Sequence, residues 1–259
     1  RQTETLTENN QFTNEQTLSN NVINESSDYL YRSGIEDLGI KIDVNYFLNR
    51  KHNLKFGASY IKHNFFPGYM DWTADYQDFN IDTVITFSDN LRPDNAFIYI
   101  EDNYKINERI SANIGVHYSF FYVNKKLYHS PQPRISIKYL TTETSALKFS
   151  YATMQQNIHL LTNSSFGLPN DMWVPATDIV QPQFSQQIVL GYNKVFNEKK
   201  YEASVEIYYK NMKNLVTFSE GTNILGTSFS AWEERVESDG KGLSKGIELF
   251  LEKKTGKLT

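Results

Sequence analysis

Between Ile110 and Tyr122 the apolar residues Ile110, Ala112, Ile114, Val116, Tyr118, Phe120 and Tyr122 alternate with Ser111, Asn113, Gly115, His117 and Ser119. A period of two held over this length is satisfied by an extended strand with two chemically different faces, and by no helix. The same alternation recurs in Ile40, Ile42, Val44 and Tyr46 against Lys41, Asp43 and Asn45, and in Tyr201, Ala203, Val205, Ile207 and Tyr209 against Glu202, Ser204 and Glu206. Ile247, Leu249 and Leu251 against Gly246, Glu248 and Glu252 repeat it again.

Nine segments read as strands: 35–48, 53–66, 95–106, 110–123, 133–140, 145–156, 183–196, 200–213 and 243–253. Thr3, Thr5 and Thr7 alternate within Gln2–Glu8 and suggest a tenth, which an even strand count requires. The connections alternate in length. Asn49–His52, Asn107–Arg109, Thr141–Thr144 and Asn197–Lys199 are short and polar, whereas 67–94, 124–132, 157–182 and 214–242 are long. Short turns at one end and long loops at the other are the rhythm of an up-and-down β-barrel in a bacterial outer membrane.

Alternation also occurs in soluble sandwiches, so strand length and face chemistry must decide between the two. Soluble strands are usually about 5–6 residues long, whereas a tilted membrane strand needs about 9–11, and these segments are of the longer kind. A face carrying Lys41 and Asp43, or Glu202 and Glu206, is too polar for a dry core and suits a wet lumen. The predicted fold is all-β, a transmembrane antiparallel up-and-down barrel of which about 9–10 strands are present.

Composition agrees with this reading. Mean hydropathy is negative and no apolar run is long enough for a membrane-spanning helix, but barrel strands average lipid-facing with lumen-facing residues and escape that test. Aromatic residues make up 14 % of the chain, and Tyr46, Phe47, Phe65, Phe66, Phe120, Phe121, Tyr122, Tyr208 and Tyr209 fall near strand ends, as interfacial girdles do. The 26 basic and 30 acidic residues form no basic stripe, so nucleic acid is not an expected partner. The absence of cysteine removes disulfide frameworks, thiolate zinc sites and cysteine nucleophiles.

No Pro/Gly/Ser linker divides residues 1–259, which are read as a single β-barrel segment. Arg1–Asn10 contains no secretory signal, and the chain stops after Lys253-Lys254-Thr255-Gly256, where a further strand is expected. It is therefore expected to be a piece of a longer protein.

From residue 131 onward the sequence reads PQPRISIKY, then LKFSYATMQQNIHLLTNSSFGLPNDMWVPATDIVQPQ, then the pair IVLGYNKVF and YEASVEIYYKNMKNLV, then GKGLSKGIELFLEKKTGKLT. This resembles the C-terminal half of the barrel in TonB-dependent outer-membrane receptors of the Bacteroidetes type. The block Gln155–Gln183 is the most specific part, because strand periodicity does not dictate its His159, Leu160, Leu161, Leu168, Pro169, Trp173, Val174, Pro175 and Pro182. The resemblance implies a barrel of about 22 strands with a plugged lumen, lying in the lipid bilayer. It implies import of a scarce small-molecule or oligomeric nutrient driven through TonB, and a surface lipoprotein as a further partner. Nothing in this chain matches the family's plug domain or its TonB-engaging segment, so coupling to TonB is expected to run through a plug region absent here.

Exposed loop aromatics on a rigid scaffold can stack on sugars or flat chelates, which makes Trp72, Tyr76, Phe166, Phe229 and Trp232 the ligand candidates, with Trp173 read as packing. His159, at the end of a strand whose loop can fold into the lumen, joins them, although a structural hydrogen-bonding role is its default. Asp71, Asp75, Asp78 and Asp82 share the first long loop but lack the EF-hand spacing and its glycine; they read as a solvated acidic loop. No histidine pair has zinc-helix spacing, and no nucleophile elbow, phosphate loop or dinucleotide fingerprint occurs. No enzyme activity, metal or cofactor is expected. A passive porin-like or structural barrel is the alternative, followed by a secreted β-rich binding module.

Overall fold

Two-faced strands joined by short turns bury their backbone polar groups by pairing with their sequence neighbours, and this chain does so throughout. A computed structural model describes residues 2–18, 21–75, 80–86, 90–163, 170–198, 200–220 and 232–254. The strands among them are β1 (Gln2–Leu18), β2 (Asn21–Phe47), β3 (His52–Asp75), β4 (Asn80–Thr86), β5 (Asp94–Lys105), β6 (Ile110–Val123) and β7 (Lys126–Thr142). They continue as β8 (Ser145–Gln156), β9 (Ile158–Asn163), β10 (Asn170–Pro175), β11 (Gln183–Phe196), β12 (Tyr201–Phe218) and β13 (Val236–Lys253). The wall runs β1-β2-β3-β5-β6-β7-β8-β11-β12-β13, with β4 added on β3 and with β9 and β10 forming a separate hairpin. That path consists of the nine expected strands plus the one suggested near the N-terminus.

Register makes one face continuous. Ile42 opposes Ala58 and Val44 opposes Phe56; Ile98 opposes Tyr118 and Ile100 opposes Val116; Val205 opposes Leu249 and Ile207 opposes Ile247. This face is bare, with Ile40 at 65 % and Leu249 at 80 % exposure. An apolar band of this extent is untenable in water and is what a barrel presents to lipid. Tyr46, Tyr104, Tyr139, Phe196 and Tyr201 gather near the short-turn ends, where His52 stacks on Tyr104 with ring centres 4.3 Å apart. Tyr118, Phe120 and Tyr122 lie toward the other rim.

The opposite face lines the lumen and is polar. Lys41 pairs with Asp43 at 3.0 Å, Lys55 with Glu101 at 3.6 Å, and Glu202 with Lys254. The short turns are held by asparagine side chains: Asn49 Oδ1 accepts from the amides of Lys51 and His52, and Asn107 Oδ1 from those of Arg109 and Ile110. Local side-chain acceptors of this kind substitute for the missing ladder partners.

All four of the expected long connections are partly strand, 157–182 through β9 and β10. Segment 124–132 is not a loop: Asn124 and Lys125, both at positive φ, make a two-residue hairpin turn, and β7 begins at Lys126. Pro131 and Pro133 are accommodated because β7 pairs with β8 only from Arg134 onward, so their missing N–H groups cost no ladder bond on that side. Segment 67–94 contains the end of β3 and all of β4, and 214–242 contains the end of β12, a 3-10 turn at Trp232–Arg235 and the start of β13. The strands thus rise well beyond the length a bilayer requires; β2 alone has 27 residues.

Candidate functional site

Gln156 and Gln183 are register partners in the β8–β11 ladder, so the chain between them leaves the wall and rejoins it at one point. It forms the β9–β10 hairpin, with Ile158 opposite Pro175, His159 opposite Val174, Leu160 opposite Trp173 and Leu161 opposite Met172. The period of two puts His159, Leu161, Met172 and Val174 on one face, and all four are buried, while Leu160 on the other face is exposed. β10 lies against β2 and β3, and β9 against β12, strands far apart in the wall. The hairpin therefore crosses the lumen side.

Apolar packing holds it there. Leu161, Met172, Val174 and Val180 close around Trp232, with Leu91, Val216, Phe218 and Val236 at the periphery. Ala176 packs on Phe121 and Val123, which belong to the lumen face of β6. The turn that follows β10 is tied to β7 by the Tyr128 hydroxyl, which donates to Thr177 O at 2.6 Å, and by Lys126 Nζ, which donates to Asp178 O at 3.2 Å. Within the turn, the amides of Ile179 and Val180 donate to Thr177 Oγ1.

His159 is 2 % exposed, and neither ring nitrogen has a partner among the described residues. A charged imidazolium is poorly solvated there, so burial pushes the His159 pKa down to about 4. The hydrogen-bonding role expected from sequence is not what this environment offers. Glu233, in the turn beside Asp178, is pushed the other way, raised by burial and then by the Asp178 and Glu234 carboxylates.

Of the six ligand candidates, His159 and Trp232 are brought together in this inward-folded unit, both at 2 % exposure. Trp72 is not a loop residue: it lies in β3, between Tyr29 of β2 and Thr83 of β4. Tyr76, Phe166 and Phe229 lie outside the described residues. Asp71, Asp75 and Asp82 also belong to the β3–β4 extension, and Asp78 lies outside the described residues. No group of three or more His, Asp or Glu suited to a metal ion occurs among the described residues. Lys126 and Tyr128 went unrecognised in the sequence; the only signal was the Asn124-Lys125 turn ahead of them, which Pro131 and Pro133 masked.

A curved antiparallel wall with a bare apolar outer face, a polar inner face and an inward-folded hairpin defines an outer-membrane β-barrel. The family described as TonB dependent receptor-like, beta-barrel matches residues 2–256, and the chain belongs to it. Among solved structures it resembles the FrpB iron transporter from Neisseria meningitidis, with 13 % identity, a TM-score of 0.60, and coverage of 98 % of this chain and 42 % of that one. The siderophore receptor PirA from Acinetobacter baumannii gives 16 % identity, TM-score 0.56, and 96 % and 42 % coverage. The RagAB peptide transporter gives 11 % identity, TM-score 0.59, and 99 % and 32 % coverage. No curated protein matches the chain. The chain thus spans less than half the length of these structures, and at such identities the likeness is one of fold. Family and fold are those of transporter and receptor barrels in the outer membrane.

Proposed function

We propose that this chain is the barrel portion of an active, TonB-dependent importer of a scarce nutrient. The observation that carries the reading is the match of residues 2–256 to the TonB dependent receptor-like barrel family, with which the β9–β10 hairpin folded across a charged lumen wall is compatible. The plug, with the segment that engages TonB, belongs to sequence outside residues 1–259, which form one barrel segment. Resemblance in the block Gln155–Gln183 supports a receptor of the Bacteroidetes type, and the same resemblance implies a surface lipoprotein as partner. Trp72, Tyr76, Phe166 and Phe229 are the proposed ligand-facing aromatics; His159 and Trp232 lie buried in the inward-folded unit.

The full-length protein, purified and inserted in a planar bilayer in KCl, tests this reading. An active receptor is expected to show no steady open channel and to bind the periplasmic domain of TonB. A steady conductance without TonB binding selects the passive porin.

A further inference from the structure

We infer that Lys213, Lys241 and Lys245, on the outer face of β12 and β13, form a binding site for the phosphate groups of the glycolipid that builds the outer leaflet of the membrane. The inference stands on the barrel's place in that membrane and not on what the barrel imports.

The first observation is an uncompensated charge. Lys213 and Lys241 are register partners in the β12–β13 ladder, and both are exposed. Like charges set directly opposite each other across a ladder repel. None of the three lysines forms an ion pair among the described residues, whereas Lys41, Lys55 and Lys254 on the lumen face each pair with a carboxylate. Their outward-facing neighbours Phe184, Gln186, Tyr209, Asn211 and Leu243 carry no negative charge.

The second observation is depth. On β13 the outward residues Leu251, Leu249 and Ile247 are 72 %, 80 % and 67 % exposed, and Lys245 is the first charge above them. A strand climbing about 3.4 Å per residue at a tilt of about 45° rises about 24 Å between Leu251 and Lys241, which is the height of the lipid band of such a barrel. Beyond the Lys213–Lys241 pair, β12 and β13 are joined by a long connection, so the pair sits at the outer rim. Lys245 stands one outward position below Leu243, within reach of the same level, because a lysine stem lies along apolar surface while its ammonium seeks the polar boundary.

The third observation is that the backbone beneath the pair is fixed. The ladder slips at Asn214, which holds φ at 56°, and Asn214 Nδ2 donates to Pro182 O at 3.0 Å, tying β12 to the start of β11 just beyond Lys213. A phosphate shared by Lys213 and Lys241 turns their repulsion into attraction, and Leu243 and Ile247 offer apolar surface below it for acyl chains. A phosphate carried on acyl chains meets both features; a free anion or an acidic protein meets only the first.

The full-length receptor, purified from outer membranes and stripped of lipid in detergent, is titrated with lipopolysaccharide. Retention of the barrel fold is followed by heat-modifiable gel mobility. Lys213→Ala is expected to weaken binding about fivefold and Lys213→Ala with Lys241→Ala about 25-fold, the scale of one lysine against an anionic lipid surface being about fivefold each. Lys213→Arg should keep the affinity. Lipopolysaccharide stripped of its phosphates should bind the unaltered receptor no better than the double variant does, and millimolar inorganic phosphate should not displace the intact lipid. Unchanged affinity in the double variant, equal binding of the dephosphorylated lipid, or displacement by inorganic phosphate overturns the inference, and none of these results bears on whether the receptor is an active importer.

Discussion

The ring of Tyr99 lies over Gly57, so close that a Cβ at residue 57 would sit 2.7 Å from Tyr99 Cε1, and the Tyr99 hydroxyl donates to Asp43 at 2.5 Å. The contact spans three adjacent strands on the lumen face. Tyr208 repeats it over Gly246, where an added Cβ would meet the ring at 2.8–2.9 Å. At Gly246 a glycine is needed because an aromatic ring occupies the volume of its absent side chain; at Gly57 the Ile42 carbonyl oxygen lies nearer still to that volume than the ring.

Gly57→Ala is therefore expected to destabilise the barrel by about 1–3 kcal/mol, the usual cost of forcing extra volume into a packed position. Urea unfolding of the full-length protein in lipid measures it. Tyr99→Ala in the same background should recover only part of the loss, since it removes one of the groups with which the new methyl collides and leaves the Ile42 carbonyl oxygen in place.

His159 makes the hairpin acid-sensitive. Its pKa near 4 in the folded chain lies below the ordinary value of 6.5, so its contribution is fully present above pH 6.5 and is lost as pH falls from 6.5 toward 4. The full linkage is about 3 kcal/mol. Limited proteolysis of the 158–180 region at pH 7 and pH 4.5 should show faster cleavage in acid, and His159→Leu should abolish the difference.

Trp232 fills the centre of the cluster that seats the hairpin. Trp232→Ala is expected to cost about 3–5 kcal/mol, as large buried aromatics do, and to expose the hairpin to protease while the wall remains folded. Normal protease resistance in this variant would show that the cluster does not hold the hairpin.

Charge should discriminate the two faces of β13. Leu249→Arg places a cation in the lipid band and is expected to destabilise by about 2–4 kcal/mol. Glu248→Lys, one residue away, should be tolerated or stabilising, because Glu248 stands opposite Glu206 across the β12–β13 ladder and like charges so placed repel. Folding yields of the two variants into vesicles give the comparison.

Legibility in the sequence followed physical cause. Where lipid and lumen impose opposite demands on successive residues, as along Ile110–Tyr122, the strand and its faces could be read directly. Beyond the bilayer that demand ends, and the upper reaches of β2, β3 and β12 carry no alternation to read. Pro131 and Pro133 read as strand breakers because no sequence pattern reveals that β8 pairs with β7 only from Arg134 onward. The hairpin around His159 was legible as a distinctive loop, but not as strands: its partners on β2, β3 and β12 are remote in sequence, and burial on the lumen side is a tertiary outcome. For the same reason the sequence does not decide whether Trp232 faces a ligand or packs within its own loop; it lies at the centre of a packed cluster.

The most direct test of the barrel wall is thiol scanning along β6 in the full-length receptor in outer membranes, one cysteine at a time at residues 113, 114, 116 and 117, omitting Gly115, where a Cβ would meet Glu101 and the Ile100 carbonyl. Positions 114 and 116 should react with a lipid-soluble maleimide and resist a water-soluble one, with the reverse at 113 and 117. Uniform reaction of all four with the water-soluble reagent would contradict a lipid-facing wall and return the chain to the soluble sandwiches.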